Sequence, residues 1–102
     1  MYRIIKTSSD NKKILKRIGE ELLSLNLSPC IQISNKANSI YKWKNSIENS
    51  SEYILTIKTI DKYASKCYKI INEKHNYEIP EIIEINFSIL NKQYKKWFDE
   101  NI

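Results

Sequence analysis

Between Leu27 and Thr59 two long runs of β-forming residues flank a polar break at Lys44-Asn45-Ser46. The first run carries Ile31, Ile33, Ile40, Tyr41 and Trp43, and the second carries Ile47, Tyr53, Ile54, Leu55 and Ile57. Read as one antiparallel hairpin, each arm has about 14 residues and extends roughly 45 Å at about 3.3 Å per residue. A domain of this length is only about 35 Å across, from a radius of gyration near 13 Å. The hairpin therefore outreaches its own domain. Its tip, with Tyr41, Trp43 and Ile47, presents apolar surface and unpaired strand edges that a soluble protein normally covers, and further copies of the same chain are the simplest cover.

The flanking sequence supplies the rest of one domain over residues 1–102. Tyr2–Thr7 is short, β-branched and aromatic, as a strand requires. Ser8, Ser9 and Asp10 offer N-caps for a helix from about Asn11 to Leu25, in which Ile14, Leu15, Ile18, Leu22 and Leu25 recur at helical spacing. Leu27-Ser28-Pro29 breaks that helix. On the first arm Ile31 and Ile33 share a face opposite Cys30 and Gln32; on the second, Tyr53, Leu55 and Ile57 oppose Ile54, Thr56 and Lys58. A second helix is expected from an Asp61 cap to about Lys74, with Ala64, Cys67, Tyr68 and Ile71 inward. A turn over His75–Pro80 leads to a strand in which Ile83, Ile85, Phe87 and Ile89 alternate. A last helix, about Asn91 to Asn101, offers Tyr94, Trp97 and Phe98 for packing. The order β-α-β-β-α-β plus a terminal helix, with both main helices on one sheet face, predicts an α+β, ferredoxin-like sandwich.

Composition excludes several functions. Seventeen Lys and Arg against twelve Asp and Glu give a formal charge of +5, but the basic residues are dispersed, apart from Lys12, Lys13, Lys16 and Arg17 on one helix, and read as solvated surface. The richness in Lys, Asn and Ile is what an AT-rich coding sequence produces. RNA-recognition modules of the same strand order stack bases on aromatics of their two central strands; YRIIKT and EYILTIKT offer only Tyr2 and Tyr53, so no nucleic-acid partner is expected. No apolar run reaches membrane-spanning length and the N-terminus lacks the apolar centre of a signal peptide, so no membrane partner and a cytoplasmic location are expected. Cys30 and Cys67 form no disulfide framework and no CxxC metal spacing. A single glycine, Gly19, rules out phosphate cradles of the usual kind. With no HExxH, nucleophile elbow or paired catalytic carboxylates, the residues give no reason to expect an enzyme. The residues open to site chemistry are His75, Cys30, Lys58 and the acids Glu48, Glu52 and Glu81. Mid-strand Lys58 needs a carboxylate or water, because an unpaired buried ammonium is costly.

Five segments in order resemble the CutA family, the divalent-cation tolerance proteins. Pro29-Cys30-Ile31 stands where relatives have an Ala-Cys pair, and SIYKWKNSIE (Ser39 to Glu48) resembles their S-x-Y-x-W-x-G-K-x-E. Glu52 followed by ILTIKT is similar to E-x-x-L-x-x-K-T, HNYEIPE (His75 to Glu81) to H-P-Y-x-x-P-E, and Tyr94-Lys95-Lys96-Trp97 to the closing Y-x-x-W. The resemblance implies a non-enzymatic homotrimer, PII-like in architecture, whose long hairpins join neighbouring sheets. It also implies an inter-subunit ligand cleft lined by Cys30, Tyr41, Trp43, Glu52, Lys58, His75, Tyr77 and Glu81, and a role in metal response or small-ligand signalling. A structural or adaptor trimer docking a partner protein is the alternative. No cofactor is firmly implied; a divalent cation, copper first, is the candidate, with His75 as its ligand. Family members credited with copper ligation carry a Cys at the end of the first strand and a His-His pair before the turn, where this chain has Lys6 and Lys74. Lys44, Asn45 and Ser46 replace the usual Glu, Gly and Lys at the tip. Asn76 replaces the turn proline, a place where Asn tolerates a left-handed backbone.

Overall fold

Eight elements cover the chain, described over all residues 1–102 by a computed structural model. They are β1 (Tyr2–Ser9), α1 (Lys12–Ser24), β2 (Cys30–Ile33), β3 (Ala37–Trp43), β4 (Ser46–Ile60), α2 (Asp61–Lys74), β5 (Ile82–Phe87) and α3 (Lys92–Glu100). One antiparallel sheet has the order β2-β4-β1-β5, with β3 extending the pairing along β4. The fold is thus mixed α+β, with three helices on one sheet.

Opposed residues of antiparallel strands point to the same side, so register and burial together separate the two faces. Ile5, Thr7 and Ser9 of β1 and Leu55, Ile57 and Thr59 of β4 are all buried and face α1 and α2. Leu15, Ile18 and Leu22 of α1 and Cys67 and Ile71 of α2 complete this core, with Ile31 and Ile33 packed at its edge as their alternation predicts. Gly19 is buried in α1 because Ile31 presses on it: an added Cβ would lie 2.7 Å from Ile31 Cδ1. On the opposite face only α3 covers the sheet. Phe98 is fully buried there, edge-on to Tyr2 with ring centres 5.3 Å apart, and Tyr2 Oη donates to Asp99 at 2.7 Å.

Several sequence expectations are corrected. α1 is capped by Asn11, whose side chain accepts from the Ile14 N–H; Ser8 and Ser9 are drawn into β1 because their backbones pair with β4. Leu25 lies past the helix end and is exposed. Asp61 is the first residue of α2 rather than its cap, and its carboxylate accepts from the Met1 ammonium and pairs with Arg3, each at 2.7 Å. Tyr68 is exposed beside β5 rather than inward. Ile89 falls beyond β5. Asn76 does not use a left-handed backbone; Asn26, Lys44 and Asn45 do.

The first hairpin arm is not continuous. Ile33 pairs with Leu55 but Ala37 with Glu52, so Ser34, Asn35 and Lys36 stand against only Tyr53 and Ile54. This extra residue is a β-bulge, and the Ser34 hydroxyl fills the gap by accepting from the Ile54 N–H at 2.9 Å. A one-residue shift exchanges the faces of everything beyond it. Odd-numbered residues of β2 point to the helices, whereas Ser39, Tyr41 and Trp43 of β3 line up with Ser50, Glu48 and Ser46 on the other side. Past the bulge no further layer covers the ribbon: Ile40, Tyr41, Trp43 and Ile47 are all exposed, and the molecule measures 46 Å along its longest axis against 26 Å and 22 Å across. Lys44 and Asn45 close the ribbon as a two-residue turn with positive φ at both, as a turn of type I′ requires.

Candidate functional site

The end of α2 and the turn after it bring together the best-defined polar cluster. Tyr77 Oη donates to Glu52 Oε2 at 2.6 Å and accepts from the Asp10 N–H at 2.9 Å. Glu52 is almost fully buried, although it lies on the ribbon strand. His75 ends α2 and fixes the turn through both ring nitrogens. Nδ1 accepts from the Tyr77 N–H at 3.0 Å, and Nε2 lies 2.9 Å from the Ser8 carbonyl oxygen. A carbonyl can only accept, so Nε2 carries the proton and the ring is neutral in this arrangement. Burial, the largest influence, lowers the His75 pKa below its ordinary value despite the Ser8 carbonyl and the Glu52 and Asp10 carboxylates. The Tyr77 phenol is pushed well above its ordinary value, first by burial and then by its bond to Glu52. Asn76, between them, accepts from Ser9 Oγ at 2.6 Å and donates to Asp10 at 2.9 Å. The sequence marks Ser9 and Asp10 as helix N-cap candidates and Asn76 as a turn residue, and assigns none of them to this cluster. The only trace of their role is the position of Asn76 inside His75-Asn76-Tyr77.

A second group lies on the helix-free face of the sheet. Cys30 is directly opposite Lys58 on β4, and both are partly buried. The Lys58 ammonium meets no carboxylate; it lies 3.4 Å from Tyr94 Oη and 5.6 Å from the centre of that ring. Tyr41 and Trp43 are far out on the ribbon, and Glu81 is exposed before β5. One chain therefore joins Glu52, His75 and Tyr77, joins Cys30 and Lys58, and leaves the remaining three of the eight cleft residues apart from both groups.

No three His, Cys, Asp or Glu side chains cluster closely enough to hold a metal ion. His75 would have to surrender the Ser8 or Tyr77 bond to offer a lone pair. Lys74 is paired with Glu21 at 3.1 Å, and Lys6 lies on the sheet face away from α1 and α2. The residues of a single chain do not fit a copper centre, and a cation site would need groups from more than one copy. The chain also has no helix long and apolar enough to cross a membrane.

Comparison with known proteins agrees with this architecture. Residues 3–101 match the family described as CutA1 divalent ion tolerance protein. Mouse Protein CutA is 30% identical over 87 residues, covering 85% of this chain and 49% of the mouse protein, so the chain spans about half the length of that relative. The divalent cation tolerance protein of Thermus thermophilus superposes with a TM-score of 0.91 at 25% identity, covering 99% of this chain and 98% of its own. The periplasmic divalent cation tolerance protein CutA of Archaeoglobus fulgidus gives the same TM-score, identity and coverage.

Proposed function

We propose, from the premise that this chain belongs to the CutA1 divalent ion tolerance family, that it acts as a homotrimer of ferredoxin-like protomers in divalent-cation tolerance or small-ligand signalling. It does so without catalysing a reaction. The observation that carries this reading is the uncovered ribbon. Tyr41, Trp43 and Ile47 extend beyond the domain on a molecule 46 Å long, and a second and third copy would bury them. A PII-like arrangement, in which each ribbon crosses a neighbouring sheet, makes clefts between chains where the Glu52–Tyr77–His75 cluster of one copy can meet Cys30 and Lys58 of another. The cation response belongs to those clefts, and the cytoplasm is the compartment that two unpaired cysteines fit best.

Calorimetric titration of the assembled protein with Cu²⁺ and Zn²⁺ tests the cation part. Saturable binding that His75→Ala abolishes is expected. No binding at micromolar concentrations removes direct metal sensing and leaves a second reading, in which the same clefts dock a partner protein. That second reading draws on the engagement of both His75 nitrogens and on the ammoniums of Lys6 and Lys74.

A further inference from the structure

Lys58 sits mid-strand on the helix-free face, and its own chain supplies no acid for it. Ile4 and Cys30 lie directly opposite, Thr56 and Ile60 flank it along β4, and Tyr2, Lys6 and Gln32 are its diagonal neighbours. None of these is an acid, and Lys6 is a like charge. Asp99 of α3, which also reaches this face, is taken by Tyr2 and Lys95. The chain's salt bridges use Met1, Arg3, Lys74 and Lys95, and the Lys58 ammonium is left with Tyr94 Oη at 3.4 Å. Lys6 is better placed, since Glu81 precedes β5 on the same side and diagonal to it. A half-buried ammonium such as Lys58 calls for a carboxylate.

The ribbon carries the missing charge. β4 runs unbroken from Ser46 to Ile60, so Glu48 projects to the same side as Thr56 and Lys58. The register across the ribbon adds Tyr41 and Trp43 to that side, while Lys42, Ile40 and Ile47 share the other. The two sides thus differ in sign: an acid with two aromatics on one, an ammonium with two isoleucines on the other. Glu48 is exposed and belongs to no salt bridge. It lies ten residues from Lys58 along β4. That is roughly 33 Å at ~3.3 Å per residue, too far for the two to meet within one chain. In a trimer whose open sheet faces turn toward one another, this side of each ribbon turns inward as well. A neighbour then offers Lys58 together with the half-exposed Ile83 and Ile85, which Tyr41 and Trp43 can cover. Docked by its other side, the ribbon would bring Lys42 against Lys6 and Lys58, and like charges oppose such a contact.

We propose, as an inference that rests on the trimer above, that each ribbon docks by its acidic, aromatic side onto the open sheet face of a second copy, where Glu48 of one chain pairs with Lys58 of the next. Lys58 thereby gains the carboxylate that its own chain withholds, and the group around Cys30 is complete only in the assembly. The difference in sign between the two sides of the ribbon decides which of them faces inward.

Charge exchange tests the joint. Urea carries no charge, so the urea concentration at which the parent assembly is half dissociated, read by light scattering, sets the reference. There Glu48→Lys and Lys58→Glu should each raise the protein concentration needed for assembly about tenfold or more. The double variant should recover most of that loss, because every joint regains opposite charges. Glu20→Lys, the same charge change on the exposed surface of α1, should leave assembly unchanged. Circular dichroism without urea confirms that each variant is folded. Should Lys58→Glu not fold, Lys58→Met takes its place, and in that background Glu48→Gln should have no further effect. Indifference to Glu48→Lys, an equal loss in Glu20→Lys, or losses that simply add in the double variants would each overturn the joint. If the parent assembles and any of these results is found, the joint alone is refuted; a parent that is monomeric without urea refutes the trimer itself.

Discussion

The two faces of the sheet have been treated very differently. Against α1 and α2, Ile5, Leu55 and Ile57 meet Leu15, Ile18, Leu22 and Ile71 in a core that excludes water. On the other face α3 seals only the end around Tyr2 and Phe98, and Ile83 and Ile85 remain 45% exposed. The two faces are similarly rich in β-branched residues, so the difference lies in what covers them. A chain that spent all its apolar surface on folding would not leave one face half finished. The helix side is where stability is made, and in the proposed trimer the open side with its ribbon is where other copies are met.

The largest effect that can break this contrast is a core deletion. Leu22→Ala should cost the protomer about 2–5 kcal/mol in urea unfolding, because a fully buried side chain leaves a cavity. Ile85→Ala, on the open face, should cost a separated protomer well under half of that. Equal losses would mean that both faces are covered within one chain.

A smaller effect is expected at Thr7. Its hydroxyl is buried on the helix side without a hydrogen-bond partner, so Thr7→Val should raise stability by about 1 kcal/mol. A loss would show that the hydroxyl has a partner after all and that the core is less dry than its packing suggests.

The smallest effect sharpens the boundary between the faces, at His75. Its pKa in the folded chain is lowered from 6.5, so the unfolded chain binds the proton first as pH falls. Stability from this group is complete above pH 6.5 and declines as pH falls toward the folded-state pKa. Protonation would also set an Nδ1–H against the Tyr77 N–H. In melts across that range, His75→Gln should flatten the pH dependence; an unchanged slope would assign it to other groups.

Much of this was legible in the chain itself. Helical and alternating periodicities placed every element except the break between β2 and β3, because burial of one face imposes period 3.6 or 2 on apolar residues. Cap identities were harder to read, since Ser8, Ser9, Asp10 and Asn11 are all good caps and only strand pairing decides among them. The bulge left no local sign: Ser34-Asn35-Lys36 reads as polar strand or loop alike, and the extra residue emerges only by counting against β4. For the same reason sequence could not tell which side of the ribbon Tyr41 and Trp43 occupy. Within the candidate site, His75 and Tyr77 are two residues apart, and both belong to the cleft that the family resemblance implies. Their bonds to Ser8 and Glu52 span long separations and required the register. Charge was hidden in a similar way. Lys6 and Lys58 look like isolated lysines 52 positions apart, and only the β1–β4 pairing makes them neighbours.

Gel filtration with light scattering tests most directly whether the unfinished face and ribbon are an assembly surface. A species of three times the chain mass of 12.2 kDa is expected, and Trp43→Ala should weaken it by about 2 kcal/mol or more, as truncating a buried interface aromatic does. A lone 12.2 kDa protomer at every protein concentration would contradict it.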